Sequence, residues 1–212
     1  VPPSLRTELT RRALGDQTLR VSIEALRQLA DDPSNALRCQ WLDIAAGKTN
    51  MRPIRVLALE ALGEPCPDVA AQQQTLMDAV SEIGAATDSE WLAPARALVS
   101  LASIAPELAE AVLPQFLEHE NAFVRGYAAT AAALIGQTGT LRALARDPAP
   151  NVRTAAIQFL AARDSESIDE LLVNQLSTDD PQLLITAARL LENSPLGLQA
   201  ASATLLAFER VS

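Results

Sequence analysis

A short phrase recurs along this chain and restricts what it can fold into. It reads branched aliphatic, Arg, two residues, then a small or aliphatic residue. The clearest copies are Val124-Arg125-Gly126-Tyr127-Ala128 and Val152-Arg153-Thr154-Ala155-Ala156. Weaker copies begin at Leu19-Arg20, Leu37-Arg38 and Ile54-Arg55, and a degenerate one begins at Leu183, where Leu184 replaces the arginine. Repetition at roughly 30–40 residues is the signature of helical solenoids. One helix hairpin cannot bury its apolar faces alone, so such units must stack on their neighbours.

The punctuation agrees with this. Turn signals fall at short, regular intervals, among them Gly15-Asp16, Asp32-Pro33, Gly47-Lys48, Gly63 to Pro67, Ala105-Pro106, Glu120-Asn121, Gly136 to Gly139, Asp147-Pro148 and Asp180-Pro181. Gly, Pro and Asx end one helix and cap the next. Between them the apolar residues keep helical spacing: Val124, Ala128, Ala131, Leu134 and Ile135 share one face, as do Val152, Ala155, Ala156, Phe159 and Leu160. No alternation long enough for a strand occurs. The pattern predicts about thirteen helices, over 4–14, 18–30, 35–46, 50–62, 68–85, 89–104, 107–118, 121–135, 138–146, 150–162, 166–177, 181–192 and 196–209. The expected fold class is all-α, with the helices in antiparallel pairs.

From residue 106 onward the pairs are regular: 107–118 with 121–135, 138–146 with 150–162, and 166–177 with 181–192. The front is less so. Asp32-Pro33 to Arg38 matches Asp147-Pro148 to Arg153 in order and spacing, which makes 35–46 an inner helix, yet 50–62 with Ile54-Arg55 also reads as inner. Either a helix is lost there or one phrase is coincidental. One domain over residues 1–212, with an irregular repeat near 46–67, is the expectation.

Composition narrows the chemistry. Hydrophobic residues make up 49% but aromatics only 3%, so the apolar content is Ala and Leu, suited to closely packed helices. The net charge of -9 disfavours nucleic acid, which requires a basic face, and an anionic membrane surface. No apolar run is long enough for a membrane helix. Cys39 and Cys66 are too few for a metal ribbon, and could pair only with Cα atoms within about 7 Å; two free buried thiols are expected. A start at Val1 suggests a segment of a longer polypeptide.

Asp-Pro, a few residues, Val-Arg, two residues, Ala and a closing Leu-Gly or Leu-Ala resembles the HEAT repeat, in the short form known as the phycobilisome-lyase HEAT-like repeat. The resemblance covers most of the chain and is strongest in two or three units. It implies a right-handed α-α superhelix whose inner helices line a concave surface that binds another protein.

Candidate functional residues follow. The arginine column Arg20, Arg38, Arg55, Arg125 and Arg153 is either a cationic ladder facing a partner or a set of ties between repeats. Each follows an Asx residue (Asp16, Asn35, Asn50, Asn121, and Asp147 or Asn151) that can cap the helix start, while the guanidinium fork reaches loop carboxylates and carbonyls. The tie is the favoured reading. Trp91 and Tyr127, with Phe123 nearby in sequence, are candidate concave aromatics, although helical phase points Trp91 and Trp41 into the core. His119-Glu120 resembles the iron-binding pairs of deoxyhypusine hydroxylase, itself HEAT-like, but a single histidine cannot build that centre. Glu107, Glu110, Glu118 and Glu120, and Asp164, Glu166, Asp169 and Glu170, read as solvated faces. No phosphate loop and no triad is visible. No catalytic residue, cofactor or metal is expected.

The leading expectation is a non-enzymatic protein–protein interaction scaffold or regulatory module, binding its partner on the inner-helix face. One alternative is a bilin lyase or chaperone-like HEAT protein acting on a tetrapyrrole-bearing partner. Another is a HEAT-like nucleic-acid-binding or glycosylase domain, which the net charge disfavours.

Overall fold

The computed structural model of the protein describes residues 11–13, 16, 18–32, 37–85, 90–163, 168–192, 201, 204–207 and 209. Its elements are α1 (Leu19–Ala30), α2 (Arg38–Ala46), α3 (Arg52–Ala61), α4 (Val69–Val80), a 3-10 segment (Ser81–Ala85), α5 (Leu92–Ile104), α6 (Pro106–Leu117), α7 (Ala122–Ile135), α8 (Thr138–Leu144), α9 (Pro150–Arg163), α10 (Asp169–Gln175) and α11 (Pro181–Leu191). There is no strand among the described residues. The all-α class expected from the periodicity is the one observed. Helix limits fall within a few residues of those expected, except that 68–85 divides into α4 and the 3-10 segment. The helices expected over 4–14 and 196–209 lie largely outside the described residues.

The chain divides into two compact units, Val1–Gln115 and Phe116–Ser212. In the first, α1, α3 and α5 pack in succession to form one layer, and α2 and α4 form the other. Leucine fills the space between them: Leu26, Leu42, Leu59, Leu76, Leu98 and Leu101 are fully buried. Burial of one such side chain contributes about 1.5–3 kcal/mol, and the alanines around them, Ala58, Ala95 and Ala97, let the backbones approach. The phrases at Leu37 and Ile54 therefore lie on helices of opposite layers. Both coincide with helix starts.

In the second unit α7, α9 and α11 stack, with α8 beside α7 and α9 and α10 beside α11. Val124, Ala128, Ala131, Val152, Ala156 and Leu160 are buried as the helical spacing predicts, whereas Leu134, expected on the same face, is 46% exposed and Ile135, Ala155 and Phe159 are half-buried. Capping is local and legible. Asn121 accepts from the Phe123 N–H at 2.8 Å and Asp180 from the Leu183 N–H at 2.7 Å. At the other end of α7, Gly136 takes φ +91°, a left-handed conformation that glycine adopts without penalty. The Gly136 and Gln137 N–H groups both donate to the Ala132 carbonyl. Arg163, the last residue of α9, donates to the Ala133 carbonyl, so one repeat closes the helix end of its neighbour.

The two thiols are not free, which corrects the expectation. Cys39 and Cys66 form a disulfide, with Cα atoms 5.9 Å apart. The reason is tertiary. The hairpin of α2 and α3 returns the chain over 27 residues, so the start of α2 meets the loop between α3 and α4. Buried Gln72 braces the same loop. Its amide donates to the carbonyls of Leu62 and Glu64 at 2.6 and 2.7 Å, and its oxygen accepts from the Cys66 N–H at 3.0 Å. A closed loop of this length restricts the unfolded chain by about 3–4 kcal/mol. Reduction of the bond, or Cys39→Ser with Cys66→Ser, is expected to lower unfolding free energy by about that amount, measured by urea denaturation with and without a thiol reductant.

Candidate functional site

The recurring arginines show what the phrase does. Arg38 Nε donates to the Ala30 carbonyl at the end of α1 at 3.0 Å, and Nη2 reaches both the Ala61 carbonyl and Glu64 at 3.0 Å. Arg55 repeats the plan one helix later, with Nε on the Ala46 carbonyl at 3.0 Å and Nη2 on Glu82 at 2.6 Å. In the second unit Arg125 Nη1 donates to the carbonyls of His119 and Glu120, and its Nε and Nη2 grip Asp147 bidentately at 2.7 and 2.8 Å. Arg153 Nη1 donates to the carbonyls of Asp147 and Pro148, and Nε to Gln175 at 3.1 Å. Arg38 and Arg55 thus satisfy a carbonyl left open at the preceding helix end, Arg125 and Arg153 bond carbonyls of the connecting loop instead, and all four bind a side chain 22–27 residues ahead.

Arg20 departs from the pattern. It is exposed and makes no hydrogen bond or ion pair among the described residues. Two residues on, the buried Ser22 hydroxyl donates instead toward the carbonyls of Ala13 and Asp16, at 3.2 and 3.0 Å. The degenerate position, Leu184, is fully buried. The Asx residues also differ in detail. Asn50 donates to the Ile44 carbonyl at 2.7 Å, Asn151 donates to the Ala122 carbonyl at 3.3 Å, and Asn35 lies outside the described residues.

Asp147 carries the most charge-dependent contact. Burial opposes its ionisation, but the hydrogen bonds from Arg125 and the Ala149 N–H, with the fields of Arg125 and Arg153, outweigh it and hold the carboxyl below its ordinary range. The same hydrogen bond raises the Arg125 guanidinium further. Both side chains are nearly buried, at 13% and 8% exposure.

The other candidates scatter. Trp91 and Tyr127 are both half-buried, Trp91 just before α5 in the first unit and Tyr127 on α7 in the second. Phe123, beside the α7 cap, is 62% exposed. Trp41 on α2 is half-buried rather than core. His119 sits in the α6–α7 turn, where Nδ1 accepts from the Asn121 N–H at 3.0 Å. No cluster of three or more metal-ligating side chains occurs among the described residues. Glu107, Glu110, Glu118, Glu120 and Glu170 are exposed, but Asp169, in the first turn of α10, is buried rather than solvated; Asp164 and Glu166 lie outside the described residues. No described helix is long and apolar enough to cross a membrane.

Among the described residues, two cavities in the first unit bear on a site. One of about 320 Å³ lies beside the disulfide and is lined by Cys39, Asp43, Leu62, Cys66, Asp68 and Gln72, among others. The other, of about 370 Å³, is lined by Lys48, Asn50, Arg52, Arg55, Glu82 and Glu90, among others. Neither was legible as a site from the motif, because both collect side chains from turns rather than from the repeating phrase.

No protein-family model and no curated protein matches the chain. Solved structures do. The chain is similar to the YibA protein of Escherichia coli, with 18% identity and a TM-score of 0.63, over 98% of this chain and 85% of that one. It is also similar to the complex of CpcE and CpcF of phycocyanin lyase from a Nostoc species, with 17% identity and a TM-score of 0.56, over 100% of this chain and 87% of that one. The fold is a HEAT-like helical repeat. The likeness to a lyase complex corrects the expectation of a non-enzyme. A scaffold of this fold and extent serves in an enzyme, so the lack of a triad or phosphate loop in the sequence does not exclude catalysis.

Two predictions follow from the ties. Arg153→Ala is expected to lower stability by about 1–3 kcal/mol, while Arg20→Ala changes it by less than about 0.5 kcal/mol; thermal or urea unfolding checks both. Asp147, with its folded-state pKa depressed, contributes stability that is fully present above its unfolded pKa of about 3.9 and is lost as pH falls through the folded value. Asp147→Asn is therefore expected to cost about 3 kcal/mol at neutral pH and to flatten the acid limb of stability against pH, measured by urea titrations between about pH 2 and 7.

Proposed function

We propose that this chain is a HEAT-like protein of the bilin-lyase or chaperone kind, acting on an open-chain tetrapyrrole together with a partner protein. The observation that carries the reading is the likeness to the CpcE–CpcF complex of phycocyanin lyase, which extends over the whole chain. The chain's own geometry is compatible with it. The arginines that could have faced a partner in the two units are mostly committed to holding repeats together. Recognition is thereby left to the cavities and to exposed apolar side chains such as Ile44, Met51 and Phe123. Concave sites of a few hundred Å³ suit parts of small organic ligands, and the acidic surface, with a net charge of -9, disfavours a nucleic-acid partner.

Titration with biliverdin tests this directly. Binding is expected to shift and sharpen the long-wavelength absorbance band, as the pigment leaves water for a site that restricts its conformation. An unchanged spectrum at micromolar protein removes the reading.

A further inference from the structure

The larger cavity has a chemistry of its own. The chain is acidic, with 26 carboxylates against 17 lysines and arginines, yet three cations gather around one space of about 370 Å³: Lys48, Arg52 and Arg55. The turn between α2 and α3 places them. The Asn50 side chain donates to the Ile44 carbonyl at 2.7 Å and the Asn50 N–H to the Gly47 carbonyl at 3.1 Å, which fixes the loop that carries Lys48. Arg52 opens α3, and Arg55 follows it by three residues, on the same side of the helix.

One carboxylate already occupies this basin. Glu82 Oε1, from the 3-10 segment, receives Arg55 Nη2 at 2.6 Å and Lys48 Nζ at 3.2 Å. Its side chain is 20% exposed, whereas Lys48 is 68% exposed and keeps most of its donors in solvent. Arg52 is exposed and makes no hydrogen bond or ion pair among the described residues. A guanidinium presents a planar fork that matches a carboxylate. Arg55 is committed to the Ala46 carbonyl and Glu82; Arg52 and Lys48 are the two cations with capacity left. With Glu82 and Glu90 as the carboxylates of the lining, the basin carries one more positive than negative side chain.

We propose that this basin binds a carboxylate of a small organic anion, with Arg52 as the principal contact and Lys48 as the second. Resting on the function proposed above, that carboxylate is a propionate arm of the open-chain tetrapyrrole. The volume takes an arm and its ring, not the whole pigment, whose remainder lies against the surface around it.

The experiment compares biliverdin with its dimethyl ester, which keeps the chromophore and lacks the carboxylates. Both are titrated against the wild-type chain, Arg52→Ala and Lys48→Ala by absorbance. Loss of one charge-assisted hydrogen bond is worth about tenfold in affinity or more. Biliverdin is therefore expected to bind Arg52→Ala at least about tenfold more weakly, to lose affinity as salt rises, and to bind Lys48→Ala more weakly than wild type. The ester is expected to bind wild type and Arg52→Ala alike. Arg52→Ala removes no hydrogen bond or ion pair among the described residues, Lys48→Ala removes only its exposed ion pair with Glu82, and an unchanged urea midpoint confirms that each variant is folded. Equal binding of acid and ester, or wild-type affinity in Arg52→Ala, overturns the basin while leaving the tetrapyrrole reading intact. If neither pigment binds, that reading fails, and the basin is judged with glutarate alone. Lys48 is the one lysine of the chain, so its acetylation by an N-hydroxysuccinimide ester is followed by mass spectrometry. Slower modification with glutarate present supports carboxylate capture, and an unchanged rate overturns it.

Discussion

Each repeat of this protein leaves the same problem unsolved: the carbonyls at the C-terminal end of a helix have no partner within that helix, and the next helix must start almost at once. An arginine in the first turn of the next helix answers it, at the helix end in two places and in the connecting loop in two more. Arg38 and Arg55 reach back to the last carbonyl of the preceding helix, Arg125 and Arg153 to carbonyls of the connecting loop, and all four reach forward to a side chain of the following repeat. Because the guanidinium remains charged and presents five donors in fixed directions, one side chain can serve both loops. Hydrogen bonds to charged groups contribute about 1.5–3 kcal/mol where they are buried, and these sit under the turns, where leucine packing gives out.

The two units use this device with different reach. In the first, the forward partner is a glutamate 26 or 27 residues on; in the second it is Asp147 or Gln175, 22 residues on. The longer reach goes with an added staple, the Cys39–Cys66 disulfide, and with Gln72 filling the space beneath the loop. The bidentate Arg125–Asp147 pair has no such staple and depends on charge. Where Arg20 faces solvent, the Ser22 hydroxyl donates to the carbonyls near the front, and where Leu184 stands in the arginine's place the position is buried and apolar.

The turn that leads into the Ile54-Arg55 phrase also builds the cationic basin. Arg55 belongs to both, since its contact with Glu82 ties the repeat and at the same time sets the far wall of the cavity. A structural contact thus shapes a surface that Arg52 and Lys48 also line, Lys48 through its own 3.2 Å pair with Glu82.

Helix positions, the all-α class and the buried faces could be read from the chain, because helical periodicity, Asx caps and the glycine at 136 act over a few residues and leave local signatures. The arginine phrase was legible as a repeat for the same reason, though which arginines were ties and which, like Arg20, faced solvent was not. Contacts across 20 or more residues have no local signature. The disulfide, the opposite layers of α2 and α3, the burial of Asp169 and the gathering of Lys48, Arg52 and Glu82 all depend on how hairpins stack, and side-chain packing between repeats alone sets that.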